Sequence, residues 1–240
     1  MSETAFRDDQ FDLAYPEGIS GDFWTLARNE IVRRRVLEGS IPSPLVLDVG
    51  CGRGITVEFL RKAGLECYGA ERADPPLVAG IGDFVFRRAD AFHLPLEFRG
   101  RVDTILLLDV VEHLPAPGEF LAECRRRFSR LSRIVVTVPA RRELWSNYDA
   151  FYGHLTRFDR PSLLRLLGTL GARSVETGYF FHLLYPALRA RLLLGRRRAL
   201  ALRSPRRLRL HRLMARAFSL EERLAPRGLV GTSLWARVDL

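Results

Sequence analysis

The residues best equipped for chemistry in this chain gather in the run Val46-Leu47-Asp48-Val49-Gly50-Cys51-Gly52-Arg53-Gly54. Glycines at alternate positions let a backbone turn tightly and come close to a ligand. A glycine-rich turn between strand and helix usually binds a dinucleotide, whose fingerprint is G-x-G-x-x-G. Here the spacing is G-x-G-x-G, and Ile55 stands where the third glycine of that fingerprint belongs. Asp48 precedes the first glycine by two residues. A carboxylate at the mouth of such a turn repels a pyrophosphate and attracts an ammonium group. Glu71 follows Gly50 by 21 residues, a distance that suits an acid accepting from both ribose hydroxyls. Asp90, in Arg88-Ala89-Asp90-Ala91, suits an adenine amino group. A nucleoside carrying a cationic amino acid satisfies all three acids, so the electrostatics favour S-adenosylmethionine over NAD.

These acids serve one ligand only if successive strand ends carry them. Leu45 to Val49 is a continuous apolar run, as expected of a buried parallel strand. Gly50 to Gly54 is the turn, and Ile55 to Ala63 a helix closed by Gly64. Further strands are expected at Glu66–Ala70, Phe84–Arg87, Val102–Leu108 and Arg133–Val138. Helices are expected at Phe23–Leu37, Pro117–Arg130 and Pro161–Leu170, the last two with proline in the first turn. Arg173–Tyr179 and Thr232–Asp239 read as two final strands. Strands alternating with helices predict a parallel sheet covered on both faces, with ligands bound outside the carboxyl ends of the strands.

With these features in place, residues from about Trp24 to Gly171 resemble the class I S-adenosylmethionine-dependent methyltransferases, bacterial small-molecule, glycan and lipid types included. Asp48, Gly50, Cys51, Gly52 and Gly54 match the family's glycine motif, Glu71 its ribose-binding acid, and Asp90-Ala91 its adenine contact. Leu108-Asp109-Val110-Val111-Glu112-His113-Leu114 matches the segment after the fourth strand, which adds Asp109 to the cofactor contacts. The resemblance implies an α/β, Rossmann-like, seven-stranded and mostly parallel sheet, with helices on both faces. It also implies a C-terminal antiparallel hairpin, which here carries a basic helical insertion. Trp24, Arg28 and Asn29 resemble the N-terminal helix of a bacterial subgroup, where Arg28 would pair bidentately with the cofactor's carboxylate.

The acceptor side is expected at two segments, Asp109 to His113 and Trp145 to Phe158. The second is polar and aromatic without helical period. It resembles a "W…D…GH…R(Y/F)" segment that lies over the cofactor in methyltransferases of glycan or lipid assembly. An oxygen acceptor of high pKa needs a base, and His154 and His113 are the candidates. The alternative reading makes His154 a structural partner of Asp149 and leaves Glu112-His113 to position a loop. Asp109, Glu112 and His113 also resemble a cation-binding cluster of some quinone-type and RNA-end methyltransferases; no metal is the expectation, with these three as the candidates otherwise.

The 240 residues carry a net charge of +10, and the excess is local. No Asp or Glu occurs from Thr177 to Leu220, while eleven arginines lie between Arg189 and Arg216. A local positive field implies an anionic partner. Arginines beside Leu192, Leu193, Leu194 and the aromatic run Phe180 to Tyr185 suit an interfacial helix on an anionic membrane, through residues 180–216. A core-packing helix with a solvated arginine face is the competing reading, and nucleic acid is disfavoured because aromatics do not interleave with the arginines. Cys51, Cys67 and Cys124 form neither a metal spacing nor a disulfide framework, and the first residues lack the apolar stretch of a signal peptide. A cytoplasmic protein, peripheral on the membrane's inner face at most, is therefore expected. The division expected is a helical cap (1–43), a cofactor-binding core (44–180), the basic insertion (181–229) and a returning strand (230–240). Methyl transfer to a small-molecule, glycan or lipid-linked acceptor, at oxygen, is the leading function. An RNA or protein methyltransferase gripping its substrate through the arginines, and a non-catalytic cofactor-binding protein, remain open alternatives.

Overall fold

The computed structural model describes residues 8–39, 41, 43–202 and 204–240. The first seven residues of the expected cap, Pro42 near its end and Arg203 of the arginine run lie outside the described residues.

Helices α1 (Asp8–Ala14) and α2 (Phe23–Leu37) precede strand β1 (Leu45–Val49) and helix α3 (Ile55–Lys62). Then come β2 (Glu66–Glu71), β3 (Val85–Arg87), α4 (Leu96–Arg99), β4 (Thr104–Leu108), α5 (Pro117–Arg127) and β5 (Arg133–Pro139). The chain closes with α6 (Asn147–Phe151), α7 (Arg160–Gly168), β6 (Ser174–Phe180), α8 (Leu184–Leu193), α9 (Leu208–Leu224) and β7 (Ser233–Asp239). The seven strands form one sheet in the order β3-β2-β1-β4-β5-β7-β6. β1 to β5 run parallel, while β7 lies antiparallel to both β5 and β6. The strand order reverses direction between β1 and β4, and such a switch point leaves a crevice beyond the strand ends.

Period-two alternation sends successive strand residues to opposite faces. Leu45, Leu47, Ile105 and Leu107 pack with Leu121 and Phe128 of the α5 side and Leu163 and Leu167 of α7. Val46, Leu106 and Val135 pack on the other face with Val57 and Leu60 of α3 and Val32 and Val36 of α2. Both faces are therefore covered, which is why the central strands read as unbroken apolar runs. Local sequence sets the helix ends. The Asp22 side chain accepts from the Trp24 N–H at 2.8 Å and starts α2, and Asp159 with Ser162 forms a reciprocal cap on α7.

Several boundaries differ from expectation. The third strand begins at Val85 because Gly82–Phe84 forms a short 3-10 turn. α5 ends at Arg127, three residues early, and the fourth strand starts at Thr104. The insertion consists of two helices joined by an irregular stretch. Its aromatic start is no surface feature: Phe180 and Phe181 are wholly buried with Ile31, Phe218 and Trp235. α9 packs on α2 through a Phe23–Phe218 stack with ring centroids 5.4 Å apart and through buried Glu222, which pairs with Arg34 at 2.6 Å and with Arg35. That side of α9 is a core-packing face, and its arginines point away from it into solvent.

Candidate functional site

A cavity of about 1130 Å³ opens over the carboxyl ends of β1, β2 and β4, at the switch point. Gly50, Gly52 and Gly54 all have φ between +54° and +76°, a backbone region that favours glycine. A Cβ on Gly52 would meet the Tyr15 ring at 3.2 Å, and one on Gly54 would fall 2.2 Å from Ile81 Cδ1. The chain's own Val110, Tyr15 and Ile81 pack against the turn closely enough that a side chain on any of these glycines would be crowded. Glu71 stiffens it: one carboxylate oxygen accepts from Gly52 N and the other from Ala73 N, each at 2.9 Å. Asp90 caps the next turn by accepting from Phe92 N at 2.9 Å and pairs with Arg72. The α1 segment closes this end. Phe11, Ala14 and Tyr15 of the α1 segment lie over the turn, held by Arg53, which donates to Tyr15 O at 2.6 Å and pairs with Asp12 at 2.9 Å.

Of the residues expected to hold a cofactor, Arg28, Gly50, Gly52, Glu71, Asp90, Ala91 and Asp109 line the cavity. Asp48, Cys51 and Gly54 sit immediately behind its wall, Cys51 packed against Gly69 and Gly54 against Ile81. Burial pushes the Asp48 carboxyl up to about 7, against the opposing pull of Arg28. Arg28 meets Asp109 at 2.7 Å and stacks on Trp24, so its partner here is a carboxylate of the chain itself. Asp109 directly follows β4 with φ of +57°, a strained position of the kind that persists where the surroundings enforce it.

The other end of the cavity holds His113 and His154, whose ring centroids are 4.9 Å apart, edge to face. His154 Nδ1 lies 2.9 Å from Asp149 Oδ1, and the same oxygen accepts from Arg157 Nε at 2.7 Å. Arg157 in turn donates to Ala140 O at 2.8 Å. The structural partnership of His154 with Asp149 thus exists, and it leaves the imidazole on the cavity wall rather than withdrawing it. Burial raises the Asp149 carboxyl, but hydrogen bonds from His154 and Arg157 outweigh it and hold the group at about 2. His113 is driven down to about 4, chiefly by burial and then by His154, and is neutral at physiological pH. Glu112 is fully buried; neither carboxylate oxygen has a hydrogen-bond partner among the described residues, and burial then Asp109 push it well above the carboxylate range. Glu112, His113 and His154 offer ligand atoms within 4.8 Å of one another. Among the cation candidates, then, the fold gathers His154, and not Asp109, with Glu112 and His113.

The segment Trp145–Phe158, expected to lack helical structure, contains the short helix α6. Ser146 and Asp149 cap it reciprocally, so the S-x-x-D spacing carried a helix-start signal. Tyr148 and Tyr152, from the segment expected on the acceptor side, line the cavity; Tyr15 and Arg198 line it too, and sequence reasoning missed these two as site residues. Nothing local marks them; distant packing brings them in.

The doubly covered sheet with its switch-point cavity defines a Rossmann-like, nucleoside-binding type of protein. Comparison makes the assignment specific: residues 26–177 match the model of the methyltransferase domain family, and the chain belongs to that family. A ubiquinone biosynthesis O-methyltransferase of Acinetobacter baumannii is 27% identical over 95 residues, 36% of this chain and 40% of that protein. One from Shewanella halifaxensis is 33% identical over 97 residues, 37% and 40% of the two chains. The matched part spans about 40% of the length of these curated relatives. A SAM-dependent methyltransferase from Archaeoglobus fulgidus shares the fold, with a TM-score of 0.51, 21% identity and coverage of 88% and 94%. So does a plantazolicin methyltransferase in complex with a triazolic desmethylPZN analog and SAH, with a TM-score of 0.55, 15% identity and coverage of 96% and 88%.

Proposed function

We propose that the protein transfers a methyl group from S-adenosylmethionine to an oxygen of a small-molecule acceptor. The observation that carries this reading is one continuous cavity that joins the glycine turn, Glu71 and Asp90 to the Asp149–His154 pair. The donor site fits: a cradle in which a side chain would clash, an acid at each strand end, and Arg28 beside Asp109 for an amino acid's charged groups. When bound, the cofactor supplies an electrophilic methyl group open to in-line attack. The chain's own residues do the rest. Tyr15 and Trp24 cover the donor end and exclude water. Asp149 orients His154, whose imidazole takes the acceptor's proton. Orientation at near-attack distance supplies much of the acceleration. The relatives named as ubiquinone biosynthesis O-methyltransferases support oxygen as the atom methylated.

Calorimetry tests the donor assignment: binding of S-adenosylhomocysteine with no response to NAD is expected, and the reverse overturns it. Turnover is then tested by incubating cell extract with methyl-labelled cofactor and identifying the labelled molecule.

One observation favours a second reading of the acceptor end. The oxygens of Glu112 without a hydrogen-bond partner, beside two imidazoles, form a donor set suited to a divalent cation. Under that reading EDTA abolishes turnover and Mg²⁺ or Mn²⁺ restores it; under the base reading EDTA has no effect.

The exposed side of the insertion supports peripheral contact with an anionic membrane. Leu183, Leu193 and Leu194 are each about 70% exposed beside Arg196 and Arg197, and no helix of the described residues is long and apolar enough to cross a bilayer. Flotation with phosphatidylglycerol vesicles, lost at high salt and absent with phosphatidylcholine, is the expected result.

A further inference from the structure

The acceptor half of the cavity has a composition of its own. α8 supplies Leu184, Ala187 and Leu188 to its wall, and the stretch after α8 supplies Leu194, Arg196 and Arg198. This stretch is irregular, yet it is held. The Asn147 side chain accepts from Arg198 N at 2.9 Å and donates to Arg198 O at 3.0 Å, and Tyr152 donates to Leu200 O at 2.9 Å. The Arg198 guanidinium lies 4.3 Å from the centroid of the Tyr148 ring, itself part of the wall.

The partners of their guanidinium groups separate Arg198 and Arg196 from the other arginines of the cavity. Arg28 has Asp109, Arg72 has Asp90, Arg157 has Asp149, and Arg191 donates to Arg197 O. Among the described residues no carboxylate pairs with Arg198 or Arg196. The sequence offers none nearby either, since residues 177–220 contain no Asp or Glu. Arg198 is half-buried, and burial lowers its pKa from the usual arginine value. A partly desolvated cation without a counterion is an unfavourable arrangement that an arriving anion relieves. Guanidinium groups bind carboxylate and phosphate oxygens in a fixed, charge-assisted geometry.

We infer that the acceptor is an anionic amphiphile: its carboxylate or phosphate is held by Arg198 with Arg196 beside it, and its apolar chain lies along Leu184, Leu188 and Leu194. The inference rests on the reading of this cavity as a methyl-acceptor site and names the acceptor's class. Arg198 is its specificity-determining residue.

The test uses the full chain saturated with S-adenosylhomocysteine and four probes below their micellar concentrations: decanoate, decyl phosphate, decanol and inorganic phosphate. Calorimetry is expected to show decanoate or decyl phosphate binding at least about tenfold more tightly than decanol, and more tightly than inorganic phosphate. Which of the two anions binds better tells carboxylate from phosphate. Arg198→Met is expected to erase the anion preference while decanol and S-adenosylhomocysteine bind as before; Arg198→Lys, which keeps the charge, retains the preference in part. Equal binding of decanol and both anions, or an unchanged preference in Arg198→Met, overturns the inference. If Arg198→Met fails to fold, the four-probe comparison on the native chain and the Arg198→Lys result still decide it. Failure of S-adenosylhomocysteine to bind at all refutes the methyltransferase reading instead, so the two failures are distinct.

Discussion

Replacing Asp149 by Asn separates the structural and the chemical work of the pair it forms with His154. Asp149 Oδ1 accepts from His154 Nδ1 at 2.9 Å and from Arg157 Nε at 2.7 Å, while Oδ2 accepts from Ser146 N at 2.9 Å and Ser146 Oγ at 3.1 Å. Every group facing this carboxylate is a donor or can become one. An Asn amide presents one oxygen and one NH₂. If its oxygen keeps His154 and Arg157, its NH₂ faces the Ser146 N–H and the α6 cap is lost; the opposite orientation confronts two donors with a third. Arg157 is 3% exposed, so its charge loses, in a dry place, the one carboxylate it pairs with among the described residues. Breaking a buried ion pair by removing one partner costs about 3–5 kcal/mol. A loss of about 3 kcal/mol in chemical denaturation is therefore expected, a large part of a typical stability of about 5–15 kcal/mol.

His154→Gln is the counterpart. It leaves Asp149 with Arg157 and Ser146, so stability should fall by no more than about 1 kcal/mol, the size of one hydrogen bond. Turnover should nonetheless fall by about 10²-fold or more, the usual contribution of a positioned general base. The assay is transfer of labelled methyl from S-adenosylmethionine at saturating acceptor, with S-adenosylhomocysteine affinity as the control that must not move. If His154→Gln turns over like the native protein, the imidazole is only a prop for Asp149 and the base assignment is wrong. If Asp149→Asn is as stable as the native protein, the carboxylate does not hold Arg157 in the way the distances imply.

Three further outcomes follow from the same structure. The folded Asp48 carboxyl, raised to about 7, holds a proton that the unfolded carboxyl has lost above about 4; its contribution to stability is therefore full at low pH and fades as pH rises through 7. A bound cation favours the ionised form, so calorimetry in buffers of different ionisation enthalpy should show proton release on S-adenosylmethionine binding at pH 6, absent in Asp48→Asn. Gly54→Ala forces a side chain into a φ of +76° and against Ile81; a loss of about 1–2 kcal/mol in stability is expected together with weaker S-adenosylhomocysteine binding, and native-like affinity would show that the turn can move aside. Glu222→Gln strips Arg34 and Arg35 of a shared buried partner, and should cost about 3 kcal/mol in denaturation with cofactor affinity unchanged; a fall in affinity would mean that the α2–α9 seam shapes the site.

The gathering of the proposed donor-binding residues at one cavity was legible because its determinants are local. A turn needs its glycines within five residues, and parallel strands bring Asp48, Glu71, Asp90 and Asp109 to one edge of the sheet by their register alone. The acceptor half was legible only as a polar, aromatic stretch. Its geometry depends on a helix cap at Ser146, on burial of Glu112, and on Arg198 arriving from fifty residues downstream to lock onto Asn147. The run from Phe180 to Leu188 shows the same limit from the other side. Apolar residues beside arginines look alike whether they face a core or a membrane; here Phe180 and Phe181 face Trp235, while Leu183 and Leu193 face outward. Periodicity does not make that division, because β6 hands over to α8 within it.

The two halves of the cavity also differ in sign, and the difference bears on the order of events. The donor end presents Glu71, Asp90 and Asp109 with Asp48 behind them, whereas the acceptor end presents Arg191, Arg196 and Arg198. Arg28 and Arg72 each neutralise an acid of the donor end, but Arg196 and Arg198 have no carboxylate partner among the described residues. On the proposed reading, a cationic donor is favoured at the first end and an anionic acceptor at the second, with Glu71 the acid of the donor end that no arginine pairs with among the described residues. Once the methyl group has moved, the donor product has lost its sulfonium charge, and the acids that drew it in hold it less strongly. S-adenosylmethionine should therefore bind more tightly than S-adenosylhomocysteine at low ionic strength, and the ratio should shrink as salt rises. A ratio near one at every salt concentration would mean that the acids act through hydrogen bonds to the nucleoside alone, and that their net charge does no sorting.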